Sequence, residues 1–268
     1  MMKHLYIELF NGGCFFRDLI ELLNAITSTS CWMRFTPLAL SVTTLGQDDT
    51  NTHWCADMKI NAVSTFTMYK LTVDQLDINI DPKKISKLCR NIKRTDKISI
   101  SYTDEGRFSL VIHEERKLET KTLPYNMVSV NDSSRSGDVE VPRDMFNESG
   151  FDLRIVEILN LKKAIGNKRE IVDVQLCENQ LTFSTMGQFI APISIMFGDQ
   201  VSTGTPTIIS FSGKILNIIG KLNNISKVVT FKKSAVNARW LLVTTPLASG
   251  VFSFYIMNKE NDPNQNAL

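Results

Sequence analysis

No apolar run in this sequence approaches the ~18 residues that a membrane-spanning helix needs, and no bulk charge of one sign is present. Thirty Lys and Arg stand against 28 Asp and Glu, leaving +2. Net charge therefore demands neither a nucleic-acid nor a membrane partner, and an electrostatic function has to arise from uneven placement of charge. The five cysteines, Cys14, Cys31, Cys55, Cys89 and Cys177, form no CxxC pair. That odd count and spacing argue against a zinc finger or a disulfide framework and point to a reducing compartment. The opening MMKHLYIELF turns polar without a signal-peptide core, so the N-x-S triplets at Asn131, Asn147 and Asn224 are read as chance. The three histidines, His4, His53 and His113, all fall in strand-like segments without a Cys, His or Asp at metal-ligand spacing. Phosphate-loop, dinucleotide, nucleophile-elbow and zincin motifs are missing; Gly213-Lys214 lacks the earlier glycine of a phosphate loop, because position 208 is Ile. No cofactor is expected. Asp74, Asp77 and Asp81 form a tempting carboxylate series, but a two-metal site needs carboxylates converging from several elements. Asp81 reads instead as a helix cap and Asp74 as part of a turn.

The 43% apolar and 22% charged content is that of an ordinary globular protein, and 268 residues suit two domains of about 130 each. Leu5, Ile7 and Leu9 alternate with polar neighbours, a strand period. From Cys14 to Thr29 the period becomes helical, with Phe15, Leu19, Leu22, Leu23 and Ile26 on one face and Arg17, Glu21 and Asn24 on the other. Strand-like segments follow at 31–36, 38–45, 53–59, 62–70 and 74–80. Asp81-Pro82 then starts a helix expected to run to about Arg94, since Asp suits the N-cap and Pro the first helical position. Strands at 97–103, 107–113 and 117–123 complete a first half. Residues 126–140, NMVSVNDSSRSGDVE, read as a linker. The second half repeats the order: strands near 138–142 and 151–156, a helix at 157–167, strands at 170–176, 180–186, 189–197 and 207–211, a helix at 212–224, and strands at 227–233, 238–245 and 250–257. The expected division is 1–125, 126–140, 141–260 and a disordered tail at 261–268. The fold class expected is α+β, two similar halves each with two helices on antiparallel sheets.

One charge pattern stands out. Between positions 83 and 94 there are six basic residues and no acid: Lys83, Lys84, Lys87, Arg90, Lys93 and Arg94. On a helix, Ile85, Leu88, Cys89 and Ile92 would share one face, with Lys87, Arg90 and Arg94 nearly opposite and Lys83 beside them. A solvated face would normally mix signs, so a single-sign face on a near-neutral chain suggests phosphate contact. The second-half helices add Lys162, Lys163, Lys214 and Lys221 against Glu157, while Arg17 on the first helix is offset by Asp18 and Glu21. Four helices facing a polyanion read by charge, not by base, is the function this placement suggests.

Several segments carry a family resemblance. LYIELFNGGCFFRDLIELLNAI resembles the opening strand, glycine turn and first helix of the DNA sliding clamps. HWCADM, AVSTFTMYKL and QLDINIDPKKISKLCRNIK, then DVEVPRDMF, FDLRIVEILNLKKAIGN, IVDVQLCENQLTFST, ISFSGKILNIIGKL and VFSFYIMNK, follow the order of the checkpoint branch, the nine-one-one clamps, and within it the Hus-one subunit family. The similarity spans residues 3–258 as a pattern of hydrophobic and turn positions with few identities. Replicative clamps carry an Asp-Ser-His segment where this chain reads TTLGQDDTNTHW, which favours the checkpoint branch. The resemblance implies a non-enzymatic, nuclear subunit of a heterotrimeric ring with two related subunits. Such a ring is opened by a clamp-loader ATPase, encircles double-stranded or primed DNA at damage sites, and acts indirectly on a checkpoint kinase and repair enzymes, with no membrane partner. DNA-facing residues would be the basic set above. Subunits would join through sheet edges, here Lys117, Leu118, Thr120 and Thr122 in one strand and Phe189, Ile190, Ile193 and Ile195 in another, where Pro192 suits an edge. A homotrimeric replicative clamp, cellular or viral, keeps the same fold. A metal-dependent enzyme or an unrelated β-rich binding protein would be a different class.

Overall fold

A computed structural model describes residues 3–9, 13–27, 31–47, 52–103, 105, 107–114, 119–126, 145–146, 149–165, 171–185, 192–199, 206–235 and 239–258. Two compact units divide the chain. The first holds residues 1–44, 57–137 and 247–251; the second holds 45–56, 138–246 and 252–268. Of the expected linker only Asn126 is described, and residues 261–268 lie outside the described residues.

In the first unit β1 (Lys3–Leu9) leads to α1 (Gly13–Ile26) and then β2 (Cys31–Phe35), β3 (Ala39–Gln47) and β4 (His53–Asn61). A one-turn helix α2 (Ala62–Thr65) and the short β5 (Met68–Leu71) follow. Next come β6 (Leu76–Ile80), α3 (Pro82–Cys89), β7 (Lys97–Thr103), β8 (Arg107–Glu114) and β9 (Glu119–Asn126). Leaving aside α2 and β5, the order is strand, helix, three strands, stated twice. The two copies exchange partners. The strand before α1 pairs with the strand after α3, Ile7 opposite Ile100, and the strand before α3 pairs with the strand after α1, Ile78 opposite Met33. One sheet therefore runs β5-β1-β7-β8-β9, and β6-β2-β3-β4 lie side by side in another. Alternate residues Leu5, Ile7, Leu9, Ile98 and Ile100 are buried together with Phe16, Leu19, Leu23 and Ile26 of α1, which packs beside α3.

The second unit states the same pattern twice more. β10 (Phe151–Arg154), α4 (Ile155–Ile165), β11 (Ile171–Leu176), β12 (Gln180–Thr185) and β13 (Ile193–Gly198) are followed by β14 (Thr207–Ser212), α5 (Lys214–Lys221), β15 (Val228–Lys233), β16 (Trp240–Leu247) and β17 (Gly250–Met257). Here too β10 pairs with β15 and β14 with β11, giving the strand orders β13-β12-β11-β14 and β10-β15-β16-β17. Phe183 of β12 meets Phe231 of β15 edge to face at 5.7 Å, joining the two layers. A second cluster of Cys55, Trp240, Leu242, Tyr255 and Met257 is covered by Leu45 and Phe146.

Three expectations need correction. Segment 62–70 is not one strand: the Asn61 side chain accepts a hydrogen bond from Ser64 N at 3.1 Å and starts the turn of helix α2 before β5 begins. Helix α4 starts at Ile155, two residues before the expected 157, directly from β10. Helix α3 stops at Cys89 instead of near Arg94, because Asp96 draws the chain into a turn: its buried carboxylate accepts from Lys93 N at 2.8 Å.

Candidate functional site

Asp81 builds the N-terminus of α3. Its carboxylate accepts from Lys83 N at 3.0 Å and Lys84 N at 3.2 Å, satisfying two of the amides a helix start leaves unpaired, and Pro82 occupies the first helical position. Ile85 and Cys89 then face the core, with Ile92 buried beyond the helix end. Lys83, Lys84, Lys87, Arg90, Lys93 and Arg94 are all exposed. Lys84 Nζ lies 3.5 Å from Asp81 Oδ2. Among the described residues the other five form no ion pair. Such a surface keeps its positive potential instead of neutralising it internally. Leu88, expected in the buried stripe, is 37% exposed and sits among the cations.

On α1 the picture differs. Arg17 Nε and Nη2 donate to Asp18 Oδ1 at 3.1 and 3.0 Å, and Nη1 donates to Ile92 O at 3.1 Å. The pair with Asp18 raises the guanidinium's pKa above its ordinary value, and the side chain is 30% exposed. With Glu21 and Asn24 completing the outward stripe, α1 offers no positive face.

In the second unit Lys162, Lys163 and Lys221 are exposed, and Lys214 is half-buried. On α5 only Lys214, Asn217 and Lys221 interrupt a run of buried Ile215, Leu216, Ile218, Ile219 and Gly220. The spacing of three and four places the polar residues in one stripe. Gly220 permits the close approach of α4: an added Cβ would lie 3.0 Å from Leu159 Cδ2. Glu157, the acid of α4, is engaged by Arg154 at 2.6 Å, so it does not offset the lysines. Two cations escaped the sequence reading. Arg154 precedes α4, and the exposed Lys227 follows α5, where its Nζ donates to Asn223 O at 3.3 Å. Both lie just outside the helices themselves.

Among the described residues both strands singled out as edges end a strand order, β9 one and β13 another. Thr120 and Thr122 fall in β9, and Ile193 and Ile195 are half-buried in β13 beside exposed Pro192. Lys117, Leu118, Phe189 and Ile190 lie outside the described residues. Asp77 forms a two-pronged pair with Arg34 (2.8 and 2.9 Å) and Asp81 caps α3, so the carboxylate series does not converge. Among the described residues no group of His, Cys, Asp or Glu is arranged to hold a metal, and no helix is long and apolar enough to cross a membrane.

No family model matches the chain, and no curated protein matches it. Among solved structures it is similar to the crystal structure of Proliferating Cellular Nuclear Antigen from Entamoeba histolytica, with a TM-score of 0.76 at 14% identity, covering 96% of this chain and 99% of that one. The α+β fold is therefore the sliding-clamp fold, four strand–helix–three-strand repeats in two units.

Proposed function

We propose that the chain is a non-enzymatic subunit of a ring clamp that encircles DNA at damage sites and supports checkpoint signalling and repair. The observation that carries the DNA reading is the row of exposed cations on and after α3, five of them without an ion pair among the described residues, on a clamp fold. A ring that slides needs attraction to phosphate without tight base contacts, and dispersed Lys and Arg provide it. Lys162, Lys163, Lys214 and Lys221 would extend the DNA-facing surface. The edges that β9 and β13 present among the described residues would join neighbouring subunits through main-chain pairing. The expected partners are two related subunits, a clamp-loader ATPase and duplex or primed DNA, with a checkpoint kinase and repair enzymes acting downstream in the nucleus. The sequence TTLGQDDTNTHW, in place of an Asp-Ser-His segment, supports the checkpoint branch. A homotrimeric replicative clamp is the second reading, supported by the likeness to a proliferating cell nuclear antigen.

Two measurements test this. Light scattering of the full chain, alone and after co-expression with candidate clamp subunits, separates the two readings: a monomer that forms a 1:1:1 complex supports the checkpoint clamp, and a homotrimer alone supports the replicative one. Replacing Lys83, Lys87, Arg90 and Arg94 with Ala should weaken duplex binding with little change in folding. At about 0.9 per lost phosphate contact, the salt slope should fall by roughly 3–4. An unchanged slope removes the DNA-facing assignment.

A further inference from the structure

Lys93 and Arg94 do not ride on α3, which carries Lys83, Lys84 and Lys87 and has Arg90 as its C-cap; they project from a turn tied down at several points. Ile92 N donates to Cys89 O at 3.0 Å and Asp96 N to Lys93 O at 3.2 Å. The Asp96 carboxylate, 2% exposed as a residue, closes the turn by accepting from Lys93 N at 2.8 Å. Helix α1 braces it from the side. Gly13 lies so near that an added Cβ would stand 2.2 Å from Lys93 O and 3.2 Å from Asp96 O. One turn further along, Arg17 reaches over and donates from Nη1 to Ile92 O at 3.1 Å, while Asp18 holds the opposite side of the same guanidinium. All the Arg17 contacts found are internal.

We propose that Arg17 is a positioning residue for the cationic turn 92–96, acting with Asp96, and does not itself meet the polyanion. This rests on the reading of the α3 surface as DNA-facing. Position matters because a cation releases counterions only where its side chain is held against a phosphate. A planar fork tied to one carboxylate and one carbonyl fixes the turn in a way a single ammonium cannot.

Binding of the full chain to a double-stranded oligonucleotide, followed by fluorescence anisotropy across a salt series, tests the assignment. Arg17→Ala should weaken binding about as much as the pair Lys93→Ala/Arg94→Ala, with a slope loss of about 1.8 at about 0.9 per phosphate. Added to that pair, it should have almost no further effect. Arg17→Lys keeps the charge and should fail like Ala. Asp96 gives a test of sign. Asp96→Ala makes the protein more positive and should nevertheless bind more weakly, whereas Asp96→Asn keeps an acceptor for Lys93 N and should bind at least as tightly as wild type. Thermal unfolding of each variant separates loss of the turn from loss of the fold. Full additivity of Arg17→Ala with the pair, retention of binding by Arg17→Lys, or tighter binding by Asp96→Ala would each overturn the proposal. Should the Lys93/Arg94 pair and the Lys83/Lys87 pair both bind like wild type, the DNA-facing reading itself fails, whatever Arg17 does.

Discussion

Glu8, on the outward side of β1, shows how a single carboxylate ties two strands together. The Tyr6 hydroxyl donates to its Oε1, and Lys97 Nζ of β7 lies 2.9 Å from the same oxygen. These two donors hold the carboxyl pKa below its ordinary 4.5, the Tyr6 bond contributing most, and the same bond raises the pKa of Tyr6. A carboxyl with a lowered folded pKa contributes stability above its unfolded pKa and loses it as pH falls through the folded value. Glu8→Gln should therefore lower thermal stability at pH 7 by about 1 kcal/mol, discounted for the 32% exposure of Lys97. The gap between variant and wild type should close as the pH falls below about 4. Melting curves at pH 7 and pH 3 check it: an equal deficit at both would mean that the charge on Glu8 contributes nothing. Cys31, Cys55, Cys89 and Cys177 are buried like small apolar residues, while Cys14 is half-buried. Burial pushes the thiols of Cys31 and Cys89 up to about 12, leaving them inert at neutral pH.

At the scale of elements, α3 depends on its cap. It has only eight residues, too few for a helix to persist without tertiary support. Asp81→Ala leaves two amides without their acceptor and should cost about 1 kcal/mol, lowering the melting temperature by roughly 2–4 °C. Asp81→Ser should recover most of this, and a wild-type melt for Asp81→Ala would remove the cap from the account. The cap was legible in the sequence because Asp followed by Pro is a local signal. So were β1, β7 and the apolar stripe of α5, where alternation or helical spacing shows directly. The end of α3 was not legible. No glycine or proline marks it, and the acceptor that closes the turn, Asp96, lies beyond the expected helix end. Segment 62–70 misled for a related reason. Val63, Thr65, Phe66 and Thr67 have strand composition, yet one hydrogen bond from Ser64 N to the Asn61 side chain sets the local path. The exposure of Lys83, Lys87 and Arg90 was legible from the helical wheel, whereas Lys93 and Arg94 are exposed on a turn beyond the end of α3. The tie of Arg17 to Ile92 O was not legible, because the two lie 75 residues apart.

For the whole molecule, the fourfold repeat creates a problem that assembly would solve. Partner exchange ties the paired repeats together, yet among the described residues β9 in the first unit and β13 in the second end their strand orders, as β6, β10 and β14 also do. A free edge presents unpaired N–H and C=O groups, and soluble proteins usually protect it with charge, bulges or short strands. β13 has none of these along Ile193–Gly198 apart from Pro192 just before it; its alternate side chains Ile193, Ile195 and Phe197 are only half-buried. An edge of that composition suits pairing with another chain. Ile195→Lys tests this without attacking the core, because a half-buried lysine can carry its ammonium out to water in the monomer. Within an assembled interface the same ammonium would be desolvated without a partner. We expect a cost of about 3 kcal/mol, enough to weaken association more than 100-fold. Sedimentation or light scattering of this chain mixed with the one neighbour that pairs with β13 should then show the two monomers apart, with circular dichroism and the melting temperature of the isolated chain little changed. An assembly mass that resists Ile195→Lys would mean that β13 is not where subunits meet, and that the clamp fold closes through some other surface.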